Sequence, residues 1–278
     1  MRIYSMNHKL RTLIASSVAG ACLMTAGPAS AAPFCSSISY VDFAAAVKTA
    51  YAETNAKGIF DGIGMWATMM DRSGKVCHVY SVDGAGGAAN TNGGILAGNT
   101  AWLGSRVISA QKANSANAFS LDGLALSTGS VSVALYPGGS LYGLQHSNPV
   151  DTAAAYGGLA SAYGTSNDPM VGTRPGGLNA FGGGVALYDG SGLKVGAVGV
   201  SGDSSCRDHM MAYRLRIALG FSVADVPNDD GLSFTASPAA LFEQPLCGNG
   251  EEANVNGDAG VGNTGAADDF GVRTDQNL

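Results

Sequence analysis

The stretch from Gly182 to Leu219 constrains the fold more than any other part of this sequence. It begins with a short apolar run, Gly182 to Tyr188, and turns through Asp189-Gly190-Ser191-Gly192. A second apolar run follows from Val195 to Ser201, before a helical pattern from about Ser205 to Leu219. Two apolar runs joined by four turn-forming residues read as a hairpin, and this hairpin feeds directly into a helix. A second hairpin is expected upstream, with strands over 65–70 and 76–82 joined by Asp71-Arg72-Ser73-Gly74. Ahead of it, Ser39-Tyr40-Val41-Asp42 has the form of a capping box that opens a first helix, which Gly58 would stop. Ser105 to Phe119 is rich in alanine with few large residues, as suits a helix lying close against a sheet, and Leu121 to Leu126 is expected to continue it as a short turn of helix. The order helix, two strands, helix, irregular region, two strands, helix predicts an α+β domain: an antiparallel sheet flanked by α-helices.

Between Tyr136 and Gly177 lies a long irregular region with Pro137-Gly138-Gly139, Asn148-Pro149, a small helix expected over 152–163, and Pro169. Such stretches within compact domains are usually functional or mobile. The loop 83–99 is dominated by Gly, Ala and Asn and packs little by itself.

The ends of the chain carry a different message. Lys9 and Arg11 precede an uncharged run over 13–27, and Ala29-Ser30-Ala31 offers small residues for cleavage, the layout of a secretory signal over residues 1–31. The run is shorter than the roughly 20 residues that cross a bilayer as a helix. Cys22 lies within it, but Ala19-Gly20-Ala21 lacks the large aliphatic residue of a lipidation site. Cleavage would leave 12 basic against 21 acidic residues, a net charge of −9. With no basic stripe to neutralise phosphates, nucleic acid is disfavoured as a partner. Residues 249–278 hold six of those acids and almost no large apolar side chain, so they read as a disordered acidic tail. The expected working domain is 32–248, exported to the periplasm or the extracellular space, with no stable membrane insertion.

Four cysteines remain after cleavage, Cys35, Cys77, Cys206 and Cys247, and in an oxidising compartment they predict two disulfides. Four cysteines admit three pairings, among which Cys35–Cys77 and Cys206–Cys247 would tie each end of the chain to the domain body. A metal site is a weak alternative, because no C-x-x-C occurs and the histidines are scattered.

Several segments taken together resemble the GlcG/HbpS family of haem-binding-like proteins, also found as the C-terminal domain of PduO proteins. They are Ser105-Arg106 with Ser109 to Ala113, Gly138 to Gln145 (GGSLYGLQ), Asn179 to Tyr188 (NAFGGGVALY), Val195 to Asp203 (VGAVGVSGD) and Asp208-His209. The resemblance covers roughly residues 39–221. It implies a five-stranded antiparallel sheet flanked by helices in profilin-like layers, assembly into dimers or larger homo-oligomers, and haem as a ligand of some members. The chain looks like a longer, exported branch in which a cysteine after the last helix is common, which supports pairing Cys206 with Cys247.

The turn Ser201-Gly202-Asp203-Ser204-Ser205 leaves backbone N–H groups at a helix N-terminus, where a haem propionate or substrate carboxylate would suit the helix dipole, with Arg207 adding a charge-assisted contact. The plainer reading is that Ser204 or Ser205 caps the helix. His209 and Tyr213 stand four apart and share a helix face, so His209 is a candidate haem-iron ligand. His146, near Tyr142 in the irregular region, is the other. A lone histidine is more often structural. Covalent haem attachment at His78 is excluded because Cys77-His78 lacks the C-x-x-C-H motif.

Lys112, Asp203, Asp208 and His209 are candidate acid/base groups, with Arg106 and Tyr142 also in family-matching segments. Lys112 stands among alanines, where it either lies against apolar surface or snorkels to solvent.

No named reaction emerges. Gly199 to Asp203 has Asp203 where a nucleophile elbow needs glycine; Gly62-x-Gly64-x-x-Ala67 leads into a strand rather than a helix; Asn228 to Gly231 lacks the alternating ligands of a calcium loop. The expectation is therefore an exported protein binding haem or a similar anionic ligand. The alternatives are a cofactor-free lyase or isomerase acting on a small carboxylic acid, and a structural or assembly protein.

Overall fold

The computed structural model describes residues 34–54, 64–82, 104–221 and 228–232, with the short pieces 234–235, 244–245 and 247. The expected signal segment, the loop 83–99 and the acidic tail lie outside the described residues.

Helix α1 (Tyr40–Thr54) starts where the capping box places it. The Ser39 hydroxyl oxygen accepts from the Asp42 N–H at 3.1 Å and donates to the Asp42 carboxylate at 2.6 Å. Strands β1 (Met65–Asp71) and β2 (Val76–Val82) form the first hairpin, and β4 (Gly184–Tyr188) and β5 (Lys194–Ser201) the second. Both turns use the same device. Asp71 Oδ1 accepts from the N–H groups of Ser73 and Lys75, and Asp189 Oδ1 accepts from those of Ser191 and Leu193. An aspartate that bonds the backbone ahead of it makes its own turn.

The two hairpins join through β1 and β5 into one antiparallel sheet of order β2-β1-β5-β4. The period-2 pattern of β1 decides what covers each face. Met65, Ala67 and Met69 meet Phe43, Val47 and Tyr51 of α1 and Met211 and Leu215 of α5 (Ser205–Ala218). Trp66 and Met70 share the opposite face with Ala110, Ala113 and Ala116 of α2 (Ser105–Phe119). Between them, the Thr68 hydroxyl bonds that of Ser109 at 2.7 Å. The domain is thus α+β, an antiparallel sheet with helices on both faces.

The described sheet has four strands, not the five that the resemblance implies. After α2 the chain does not continue as a turn of helix over 121–126 either. It reverses at Gly123 (φ +82°), bridges Leu121 to Leu124, and gives two residues of strand, Ala125–Leu126 (β3), paired in parallel with Asn228–Asp229 (β6). Beyond β3, hydroxyl groups take over the role of a strand ladder. Ser127 and Ser130 bond each other's backbone, and the Thr128 hydroxyl accepts from the Gly184 N–H at 2.8 Å. Serine and threonine offer the backbone this local alternative to extended pairing. A 3-10 turn at Val133–Leu135 follows.

The irregular region holds two short helices, α3 (Leu144–Ser147) and α4 (Thr152–Tyr156), and a 3-10 turn at Ala160–Ala162 in place of one helix over 152–163. Disulfides join Cys35 to Cys77 of β2 and Cys206 of α5 to Cys247. No helix among the described residues is long and apolar enough to cross a membrane.

Candidate functional site

Helix α2 reaches the sheet because the sheet removes its own side chains beneath it. A Cβ on Gly199 would stand 2.0 Å from the Ser109 carbonyl oxygen, and one on Gly184 2.3 Å from that of Lys112. This close seat lowers Lys112 onto the end of β5 and the first turn of α5.

There a cavity of about 390 Å³ opens between the first half of α2, the segment before β4 and the β5–α5 turn. Such a volume lies at the small end of the ~300–1,000 Å³ of small-molecule sites. Ile108 and Phe181 give its wall an apolar part, and Ser105, Asn179, Ser201 and Ser205 supply polar groups. Its charged lining is Lys112, Asp203 and Asp208.

Lys112 and Asp208 are both buried, at 3 % and 2 % exposure, and Lys112 Nζ donates to Asp208 Oδ2 at 2.6 Å. The lysine does not snorkel to solvent. Asp208 Oδ1 accepts from the Asp203 N–H at 2.9 Å. Burial pushes the Asp208 carboxyl up to about 6, against the opposing pull of the Lys112 ammonium and the Asp203 N–H. Gly183 keeps the pair in place: at φ +124°, its Cβ would stand 2.4 Å from the Val200 carbonyl oxygen and within about 3 Å of Asp208 and Lys112.

The N-terminus of α5 is largely taken up by the chain's own side chains. Ser204 caps the helix, accepting from the Arg207 N–H at 3.3 Å, and Asp203 Oδ1 accepts from the Ser204 N–H at 2.7 Å. Arg207 is fully buried and pairs with Asp203 at 2.7 Å, so its charge is turned onto that carboxylate rather than offered to a ligand.

Of the residues singled out in the sequence, Lys112, Ser201, Gly202, Asp203 and Asp208 line the cavity together. His209 and Tyr213 do share a face, with rings 6.4 Å apart, but that face is buried elsewhere. The Arg216 guanidinium stacks over Tyr213 at 4.4 Å and pairs with Asp230, so these side chains belong to the packing of α5 against the segment that follows it. His146 and Tyr142 are exposed and meet edge to face on the surface. Arg106 is buried against Asp168 and the Tyr163 ring. No group of three or more His, Cys, Asp or Glu side chains suited to hold a metal occurs among the described residues.

Ser105, Ile108, Asn179 and Phe181 are lining residues that sequence reasoning did not single out as site residues, while Ser205 belongs to the turn that it did. Ser105, Asn179 and Phe181 stand in segments that carry the family resemblance, which was the available signal.

Over residues 94–215, the span that contains α2, the second hairpin and most of α5, the sequence matches the family model described as haem degrading protein HbpS-like. That stretch is similar to HbpS-like proteins. All the lining residues of the cavity fall inside the matched span. Among solved structures, Klebsiella pneumoniae protein ORFY, of family DUF336, is 23% identical with a TM-score of 0.40, covering 66% of this chain and 90% of ORFY. A PduOC–haem complex is 19% identical with a TM-score of 0.39, covering 66% of this chain and 96% of PduOC. No curated protein sequence matches the chain.

Proposed function

We propose that this chain is an exported binding protein for a small anionic molecule, haem or a more compact carboxylate, taken up in the cavity beside Lys112. The observation that carries the reading is a buried ammonium lining a cavity whose wall also holds apolar and hydroxyl groups. A desolvated cation in such a setting attracts an anionic group more strongly than a surface lysine does. The HbpS-like match, described as haem degrading, supports the ligand class. Export is inferred from the N-terminal signal layout and agrees with the two disulfides. Assembly into homo-oligomers belongs to the same reading and rests on the resemblance.

A resident, iron-ligated haem does not fit the described residues. None of those lining the cavity is a histidine, tyrosine, cysteine or methionine, and Lys112 is held by Asp208. The haem reading is therefore one of cargo held by its propionates, with Ile108 and Phe181 against its edge.

Titration of the purified protein with haemin, followed at the Soret band, tests the proposal. The expected result is a saturable, stoichiometric shift that weakens roughly tenfold or more in Lys112→Met, the scale of one charge-assisted hydrogen bond. An unsaturable shift, or one unchanged in the variant, sinks it.

A second reading has one observation in its favour. A carboxyl titrating near 6 beside an ammonium is the equipment of acid/base chemistry on a small carboxylic acid.

A further inference from the structure

The cavity offers an anion one cation and a competitor for it. Lys112 is the only cationic side chain among the described lining residues, and Asp208 Oδ2 already occupies it at 2.6 Å. Asp203 also lines the cavity, with its charge matched by Arg207 behind it. The segment before β4 brings only Asn179 and Phe181, with Gly183 packed beside the pair, and none of these is charged. The start of β1 reaches the Gly202 turn through Gly64 and Met65, which are also uncharged. An arriving carboxylate would therefore bring a second negative charge to a single ammonium that Asp208 already occupies, in a setting with little water to screen it.

We propose that the cavity is a proton-coupled anion site: a carboxylate enters opposite Lys112 as Asp208 takes up one proton from solvent. This rests on the reading of the cavity as an anion site. The exchange balances. The Lys112–Asp208 ion pair is replaced by one between Lys112 and the ligand, the proton comes to Asp208 Oδ2, and the new O–H donates to the ligand carboxylate. Asp208 Oδ1 keeps the hydrogen bond from the Asp203 N–H. The net charge of the site is unchanged. The neutral form of Asp208 is within reach because burial already pushes its carboxyl up to about 6.

Calorimetric titration of the full chain with benzoate tests this. Benzoate is flat, carries one carboxylate, and stays ionised between pH 5.5 and 7.5. Comparing buffers of different ionisation enthalpy at pH 7.5, the expected uptake is close to one proton per benzoate bound. Affinity should rise by roughly 20-fold from pH 7.5 to 5.5, the change in the protonated fraction of a group titrating near 6. Asp208→Asn should remove both effects. Benzoate binding with no proton uptake and equal affinity at the two pH values would overturn the coupling while leaving the anion site standing. Absence of benzoate binding at both would overturn the anion reading itself and the coupling with it. The buffer comparison on the unmodified protein decides the matter even where Asp208→Asn fails to fold.

Discussion

Asp208 carries the electrostatic tension of the domain. Its carboxyl is raised from 3.8 to about 6, so the folded state holds its proton more tightly than the unfolded chain does. The stability this group contributes is therefore present in full below about pH 4 and is lost as the pH rises through about 6, amounting to about 3 kcal/mol. Urea unfolding of the wild type and Asp208→Asn at pH 4 and pH 7.5 isolates it. The wild type should lose about 3 kcal/mol relative to the variant between the two pH values; parallel changes in both would contradict the burial argument. Neither Lys112 nor Asp208 announced this pairing in the sequence, since 96 residues separate them. An alanine-rich helix left open whether Lys112 would lie against apolar surface or reach solvent, and carried no sign of what would meet it. His209 shows the reverse case. Its spacing from Tyr213 was legible, and only the packing of Arg216 and Asp230 showed that this face is turned away from the cavity.

At the scale of elements, the site depends on how near α2 comes to the sheet. Small residues on both sides allow it, alanine and serine on the helix and Gly184 and Gly199 on the strands. Gly199→Ala should cost 1–3 kcal/mol or more by forcing α2 outward, and should weaken benzoate binding because Lys112 moves with the helix. Gly190→Ala, in a turn where a Cβ meets nothing within 4 Å, is the control and should stay within about 0.5 kcal/mol. Thermal unfolding of the two variants checks this, and equal melting temperatures would contradict it. The alanine-rich pattern of α2 and both Asp-initiated hairpins were readable because each is a local device. The segment 121–135 was not, because whether its serines and Thr128 bond their own backbone or extend into a strand is settled by contact with Gly184, more than fifty residues away.

For the whole molecule, the fold class followed from element order, while strand order did not: β1 pairs with β5 across more than a hundred residues, and only that pairing brings the α5 N-terminus beside α2. Two disulfides secure the outer parts of the chain, one at β2 and one at α5 close behind the cavity turn. Closing a loop of about 40 residues contributes on the order of 4 kcal/mol each in the chain-entropy account, which suits a domain that keeps four ion pairs buried among its described residues. The most direct test of the central claim is a crystal structure of the protein with 4-bromobenzoate, with the halogen located by its anomalous signal. The account predicts bromine near Ile108 and Phe181 and a carboxylate about 2.8 Å from Lys112 Nζ. Bromine found only elsewhere, with the Lys112–Asp208 pair intact, would contradict it.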